Sequence, residues 1–457
     1  MLMVFRYNGC MGIRDIVKKF IPKNLLKYVT YVGHLAEALI ATIVYGFPAR
    51  KMKFVGVTGT NGKTSTTIMI AAILRKAGYS VGMSTTAVIN DGKTEYENNL
   101  DGGLTNATPF TIQKLLKTMR RNGVEWVAME AGSQGLYQHR LFGLKFAGAA
   151  ITNLTNDHLD YHGNMDSYAA AKAKLFRQAK GGVLVTNADD EWADYFAKQG
   201  QGTRLNYGKK ATDFRLISVQ SDQKSSLVNF EYKGQKEQLK LKVQGVFNAY
   251  NALAAAAICS GLGVDLRTIL SALENLEKIP GRMETVDCGQ DFRVIVDYAH
   301  TPDAVQNILT TARNITKGRL ICVSGAAGDR AVSRRAPVGK IASQLCDIFV
   351  ITDDEPHTED PTKIRSQIMS GVIKSKDTAQ VYEVADRTDA IAKAVSMAKK
   401  DDTIVIAGMG HQKYRSGPNG HEDWDDIEVA TAVLGGKTSK FSTNWRKVMH
   451  DYFPNEY

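Results

Sequence analysis

The strongest constraint on this chain is the run KFVGVT at 53–58, which leads directly into Gly59-Thr60-Asn61-Gly62-Lys63-Thr64-Ser65 and a helix-like stretch at 65–77. A short β-branched run, a glycine turn and a helix, in that order, predict a strand of a parallel sheet feeding a helix, and so an α/β fold. Glycines let the backbone wrap closely around phosphate oxygens. The helix N-terminus adds free N–H groups and the positive end of a dipole. In such a loop Lys63 neutralises charge on the terminal phosphates and Thr64 offers its hydroxyl to Mg²⁺. The spacing departs from the common GxxxxGK[ST] form, because Val57 stands where its first glycine would fall. The loop residues 59–65 are the expected ATP-binding residues.

The same grammar continues along the chain. Apolar runs at 126–129 and 147–152 predict buried parallel strands, and 167–178 and 248–259 predict helices. Between them, 214–243 alternates apolar and polar residues with turn breaks and is expected to be antiparallel. Pro280 and Gly281, in KIPGR, interrupt the pattern at a boundary. Beyond it, strand candidates at 293–296, 320–323, 348–351 and 403–406, with helical stretches between them, predict a second doubly wound unit. The expected division is a short helical segment over 1–50, a central P-loop ATPase domain with a parallel sheet over 51–278, a Rossmann-like domain over 279–435, and a tail over 436–457.

The chain of 457 residues carries a net charge of +11. A basic surface suits nucleic acid, anionic membrane or phosphorylated small molecules. With no arginine-rich run and no nucleic-acid motif, nucleic acid is not an expected partner, phosphorylated small molecules come first and membrane second. Five cysteines, Cys10, Cys259, Cys288, Cys322 and Cys346, are scattered without CxxC spacing, which argues against zinc and against a disulfide framework. The apolar stretch 24–47 is broken by Lys27, His34 and Glu37, and a charge near the centre of a spanning helix is expensive. An amphipathic helix packed on the body is expected. The second reading is contact with a membrane surface through residues 1–48. With no cleavage site of the small-x-small kind, a cytoplasmic monomer is expected.

Several separated motifs resemble the Mur ligase family, and within it the UDP-N-acetylmuramyl-tripeptide synthetase branch. They are GVTGTNGKTST (56–66), ITNLTNDHLDYHG (151–163) with YAAAKAKLF (168–176), GVFNAYNALAAAA (245–257), PGRMETV (280–286), VDYAHTPDA (296–304), GDR (328–330), DDEPHTEDP (353–361) and AGMGHQKY (407–414). The resemblance implies a ligase of peptidoglycan precursor synthesis. Such an enzyme uses ATP to join the carboxylate of a UDP-muramyl-peptide to an amino acid, the third of the stem peptide. The reaction passes through an acyl phosphate and gives ADP and phosphate.

The chemistry presses a carboxylate against a γ-phosphate, so cations must screen two anions; the resemblance implies two Mg²⁺ ions. Glu130 closes an apolar strand, where a lone acid suits a metal or substrate, or caps the next helix. By resemblance Thr64, Glu130, His158 and a carbamylated Lys172 hold metal, and Lys63, Glu130, His158 and Lys172 form the catalytic set. A lysine reacts with carbon dioxide only as the free amine, which requires a lowered pKa. His162 has no assigned role. The resemblance places Asn248 and Asn251 on the adenine side of ATP. It also makes Arg282, Asp297 and His300 nucleotide contacts that arrive on closure.

For the substrates, Thr108, Ser133 and Arg140 match the sugar-peptide segment, with Gln134 where the family has histidine. Diaminopimelate-adding members carry Asn-Pro-Arg after an aspartate; here the run is Asp354-Glu355-Pro356-His357, and Gln412 replaces a later glutamate. Arg330, with Arg334 and Arg335 nearby, can meet an α-carboxylate, and Glu355 suits a side-chain ammonium, as in lysine or ornithine; diaminopimelate stays open. About 50 residues precede the loop, fewer than the family's uridine-binding domain. Two alternatives are a folylpolyglutamate synthase-like ligase and a nucleotide-binding scaffold without turnover.

Overall fold

The computed structural model describes residues 23–450 except 102, 223, 376, 377, 419, 438, 440, 442–444 and 448. The expectations for the basic leader 1–22, with Cys10, and for 451–457 lie outside the described residues. Eleven strands form the larger sheet: β1 Lys53–Thr58, β2 Val81–Ser84, β3 Val88–Asn90, β4 Glu95–Glu97, β5 Trp126–Glu130, β6 Phe146–Ile151, β7 Gly182–Asn187, β8 Gly202–Gly208, β9 Phe214–Ser221, β10 Ser226–Tyr232 and β11 Gln235–Leu241. Their spatial order is β11-β10-β9-β8-β7-β6-β1-β5-β2-β3-β4. The pairs from β2 through β5, β1, β6, β7 and β8 to β9 are parallel, and both ends turn antiparallel.

β1 is buried on both faces from Phe54 onward, as a continuous apolar run in a parallel sheet requires. One face carries the helices Lys63–Lys76 and Val246–Gly261. The second is alanine-rich and packs almost all round, with Ala252, Leu253 and Ile258 buried. The other face carries Pro109–Arg121 and Met165–Gln178. Fully buried side chains such as Ile70, Leu74 and Phe176 contribute about 1.5–3 kcal/mol each.

The smaller sheet has β12 Glu284–Val286, β13 Arg293–Asp297, β14 Leu320–Ser324, β15 Ile348–Ile351, β16 Gln380–Glu383 and β17 Thr403–Ala407, ordered β12-β13-β17-β14-β15-β16. All but β12 run parallel, and helices cover both faces. A hairpin, β18 Tyr414–Gly417 and β19 Gly420–Asp423, follows.

The two-unit α/β architecture matches the reading of the sequence, with strand ends within a residue or two. The strands β7, β8 and β16 and the β2–β4 hairpins were not legible. The segment read as a tail over 436–457 contributes to the packing, since Trp445 and Met449 are buried. The ring of Trp445 lies 3.9 Å from the Arg415 guanidinium, which Trp424 covers on another side at 4.4 Å. The helix Lys23–Val44 packs on Pro109–Arg121 and buries Ala38, Ala41 and Thr42. Among the described residues, no helix is long and apolar enough to cross a membrane.

Candidate active site

The strand order of the larger sheet reverses direction around β1, which lies between β5 and β6. Loops leaving the carboxyl ends of neighbouring strands diverge at such a point and leave a crevice. Three expected segments open there: the loop after β1, Glu130 at the end of β5, and the 152–158 loop after β6. Val57 is in register with Glu130, and Thr58 with Ile151. A cavity of about 770 Å³ runs from this crevice to the carboxyl ends of the smaller sheet.

The loop is held by contacts that leave no room for side chains. Gly59 has φ 144° and Gly62 φ 84°. A Cβ on Gly59 would lie 1.8 Å from Thr152 Oγ1, and one on Gly62 would lie 2.3 Å from Asn251 Oδ1. The Asn61 amide N–H donates to Asn153 Oδ1 at 2.9 Å. Lys63 Nζ folds back and donates to Gly59 O at 3.1 Å and Thr60 O at 2.8 Å. Burial lowers the Lys63 pKa, against Glu130 and with Arg282.

Lys172 lies beneath the loop, 1 % exposed. Its Nζ donates to the same Gly59 carbonyl at 2.7 Å and sits 4.5 Å from the Tyr168 ring centroid. Burial, and then Lys63, pushes its pKa well down, which favours the free amine. Lys172 does not line the cavity, whereas Lys63, Thr64, Glu130 and His158 do.

Glu130 is fully buried and accepts from Thr86 N at 2.9 Å and Thr86 Oγ1 at 3.0 Å. His158 has a left-handed backbone, φ 54°. Desolvation, then Lys172 and Lys63, pushes its ring down to about 3, so it is neutral and able to ligate. Among the described residues, no three His, Cys, Asp or Glu side chains form a ready-made metal cluster. The donors that fit Mg²⁺ are a hydroxyl, a carboxylate and an imidazole, a set that a carbamate on Lys172 would extend with oxygen.

Residues of the smaller sheet already stand at the loop. Arg282 Nη2 approaches Thr64 Oγ1 at 3.5 Å, and its guanidinium covers the Tyr298 ring at 4.7 Å. Asn61 Nδ2 donates to Asp303 Oδ2 at 2.8 Å. Arg334 pairs with Asp157 across the cleft. Arg282, Asp297 and His300 therefore line the same cavity as the loop. Asp297 is fixed by Met283 N and Ala299 N, each at 2.8 Å, and burial raises its pKa against Arg282.

At the far end, Arg330, Asp354, Glu355, His357 and Gln412 line the cavity. Glu355 Oε1 accepts from Ser416 N at 3.1 Å and Ser416 Oγ at 2.9 Å, and its Oε2 accepts from Gln412 Nε2 at 3.1 Å. Asp354 is bound to Arg387 at 2.6 Å; burial raises it to about 7, with Arg387 opposing. Arg335 is taken by Glu359 and Gln367, and Arg334 by Asp157. Arg330 is exposed and lines the cavity.

Four expected residues are placed elsewhere. Asn248 is fully buried, donates to Gln244 O at 2.8 Å and accepts from Asn251 Nδ2 at 3.2 Å. It positions Asn251 and does not face the cavity. Ser133 is bonded to His162 Nε2 at 3.0 Å, Arg140 donates to Asn106 O and Gln138 Oε1, and Thr108 precedes the helix Pro109–Arg121. None of these three lines the cavity, whereas Gln134 does. Sequence reasoning missed Asp157, Asn153, Thr86, Ser416 and His411. His411 falls in the 407–414 motif; its ring lies 4.8 Å from Tyr298, and its buried Nδ1 has no partner among the described residues.

Two family models match: the Mur ligase middle domain over residues 57–259 and the Mur ligase glutamate ligase domain over 281–410. The chain belongs to the Mur ligase family of ATP-dependent, amide-bond-forming enzymes. It is 39% identical over 408 residues to the UDP-N-acetylmuramoyl-L-alanyl-D-glutamate--2,6-diaminopimelate ligase of Syntrophomonas wolfei, covering 88% of this chain and 82% of that one. The enzyme of that name from Clostridium tetani is 38% identical over 434 residues, 93% and 87% of the two chains. A solved structure of a ligase of that name superposes with a TM-score of 0.59 at 28% identity, over 85% of this chain and 79% of that one. Escherichia coli FolC with DHPP and ADP superposes at 0.65 but 18% identity, over 90% and 93%, a likeness of fold alone.

Proposed function

We propose that this ligase joins the terminal carboxylate of a UDP-muramyl-dipeptide to an amino acid carrying a side-chain ammonium. The observation that carries this reading is a single cavity with Lys63, Glu130 and His158 at one end and Arg330 and Glu355 at the other. The peptide carboxylate attacks the γ-phosphorus of ATP and ADP leaves. The amine of the amino acid, after losing a proton, attacks the acyl carbon and phosphate leaves. Loop N–H groups and Lys63 hold the phosphates, and Arg282 covers them from the other sheet. Thr64, Glu130, His158 and a carbamylated Lys172 are the residues to hold Mg²⁺, which supplies charge screening between the two anions. Arg330 takes the α-carboxylate of the incoming amino acid and Glu355 its distal ammonium.

A second reading, diaminopimelate as that amino acid, is favoured by the names of the relatives. It too has a distal ammonium, and differs by a distal carboxylate. The test is ADP release with UDP-muramyl dipeptide and lysine, ornithine or diaminopimelate, with the product weighed by mass spectrometry. Ligation of lysine or ornithine well above diaminopimelate is expected. Ligation of diaminopimelate alone replaces the first reading with the second, and turnover only with tetrahydrofolate and glutamate overturns both.

A further inference from the structure

Among the described residues, six of the large apolar side chains that are exposed fall within one helix, Lys23–Val44. Its inner face, with Ala38, Ala41 and Thr42 buried, packs on Pro109–Arg121 and on the loop at 139–143. Its outer face presents Val32, Leu39, Ile40, Ile43 and Val44, which are 62, 43, 52, 55 and 62 % exposed. These positions recur at helical spacing and make one apolar stripe. Apolar side chains scattered singly over a surface need no explanation; a contiguous stripe marks an interaction surface.

The exposed groups flanking the stripe are mainly cationic, although Asp101 lies at the start of Pro109–Arg121 and Asp91 beside Asn122 at its end. Pro48–Lys51 follows the helix and exposes Arg50 and Lys51. The helix Pro109–Arg121, with no acid in its sequence, exposes Lys114, Arg120 and Arg121. Two cations reach aromatic rings just past the helix: Arg50 over Phe47 at 4.1 Å and Lys117 over Tyr45 at 5.8 Å. The one acid of the helix, Glu37, is half-buried and acts on Arg140 within the body. In sequence, residues 1–30 add Arg6, Arg14, Lys18, Lys19, Lys23 and Lys27 against Asp15.

We propose that this face docks on an anionic lipid surface, with the stripe entering the acyl boundary and the flanking cations meeting lipid headgroups. An apolar stripe alone would suit a second copy of the chain equally well. A cationic rim disfavours that pairing, because two copies would bring like charges together, and favours a negatively charged partner. A helix lying in the plane of the interface needs an apolar face and basic flanks, and need not span. Each lysine or arginine near an anionic surface adds to the attraction. The phosphate loop and the cavity are formed by other elements, so docking leaves them open.

The experiment is sedimentation of the full-length protein with vesicles of phosphatidylcholine alone and of phosphatidylcholine mixed with phosphatidylglycerol. The protein should pellet with the mixed vesicles at least about tenfold more strongly than with the neutral ones, and salt should weaken that binding. The variant Leu39→Gln/Ile40→Gln/Ile43→Gln/Val44→Gln should lose about tenfold or more of the binding to mixed vesicles, with unchanged melting temperature and unchanged ADP release. Lys114→Glu/Arg120→Glu/Arg121→Glu should lose the preference for mixed vesicles. Equal pelleting with both vesicles, no pelleting, or undiminished binding by the glutamine variant overturns the proposal. So does a concentration-dependent dimer in sedimentation velocity that the glutamine variant abolishes, which would assign the stripe to a second copy.

Discussion

At the phosphate end of the cleft the work falls to backbone. Gly59 and Gly62 adopt conformations closed to most side chains, Asn153 and Asn251 press against them, and two lysines share the Gly59 carbonyl. At the end proposed for the amino acid the work falls to side chains: one carboxylate, Glu355, held by Ser416 and Gln412, with an exposed Arg330 nearby. Every turnover presents the same triphosphate, so a site made of backbone can be rigid. The acceptor amino acid differs between ligases, and a site made of a few side chains changes by substitution without disturbing the sheet. Damage at the first end should therefore strike chemistry, and damage at the second should strike substrate choice.

The sharpest break of this contrast is at Lys172. Lys172→Ala, and Lys172→Met with its volume kept, should lower ligation by about a thousandfold or more while ATP binding by calorimetry stays largely intact. Short carboxylic acids should restore part of the activity to the alanine variant, because they can fill the place of a carbamate. Normal ligation by Lys172→Ala would remove the carbamate from the scheme. The next effect belongs to the other end. Glu355→Gln should raise KM for the amino acid by about ten- to a hundredfold, the cost of truncating a charged contact, and leave KM for ATP within about twofold. An equal rise in both would mean that Glu355 shapes the cleft and does not read the substrate.

Gly62→Ala tests the rigidity of the phosphate end. A left-handed conformation plus a Cβ 2.3 Å from Asn251 Oδ1 should cost about 1–3 kcal/mol, read as a lower melting temperature and about tenfold weaker ATP binding. Adding Asn251→Ala relieves the contact but not the conformation, so recovery should be partial. Full recovery would put the whole cost in the contact.

The contrast also explains what the sequence disclosed. The phosphate loop was legible because its parts are contiguous: strand, glycines, Lys63-Thr64 and helix follow each other, and the required backbone shape leaves glycine as its trace. The two sheets were legible because buried parallel strands are short β-branched runs. Strand β8 was not, because its first residues are exposed and polar, and β7 was passed over although its run Gly182–Asn187 directly follows the helix Met165–Gln178. Thr108, Ser133 and Arg140 were matched by motif. Whether such a side chain faces a cavity depends on local partners, here His162, Gln138 and Asn106, that no spacing rule encodes. Asn248 illustrates the same point one turn away from Asn251: both share a helix face, and one of the two holds the other. Trp445 gave no signal because its partner, Arg415, lies thirty positions earlier and across the hairpin.

The smallest expected effect lies where the two ends meet. Asp157, beside His158 in the loop after β6, pairs with Arg334 of the smaller sheet, and both side chains are mostly buried, 5 and 13 % exposed. Asp157 also accepts from His158 N at 2.7 Å. If the pair holds the two sheets together over the nucleotide, Asp157→Asn keeps the shape and removes the charge. It should lower kcat/KM by about five- to tenfold, an interaction of about 1 kcal/mol. Arg334→Gln should do the same, and the double variant should be no worse than either single one, because a broken pair cannot be broken twice. Additive losses in the double variant would show instead that Arg334 and Asp157 act on separate steps, one at the amino-acid end and one at His158, and that the two ends of the cleft are coupled by something other than this ion pair.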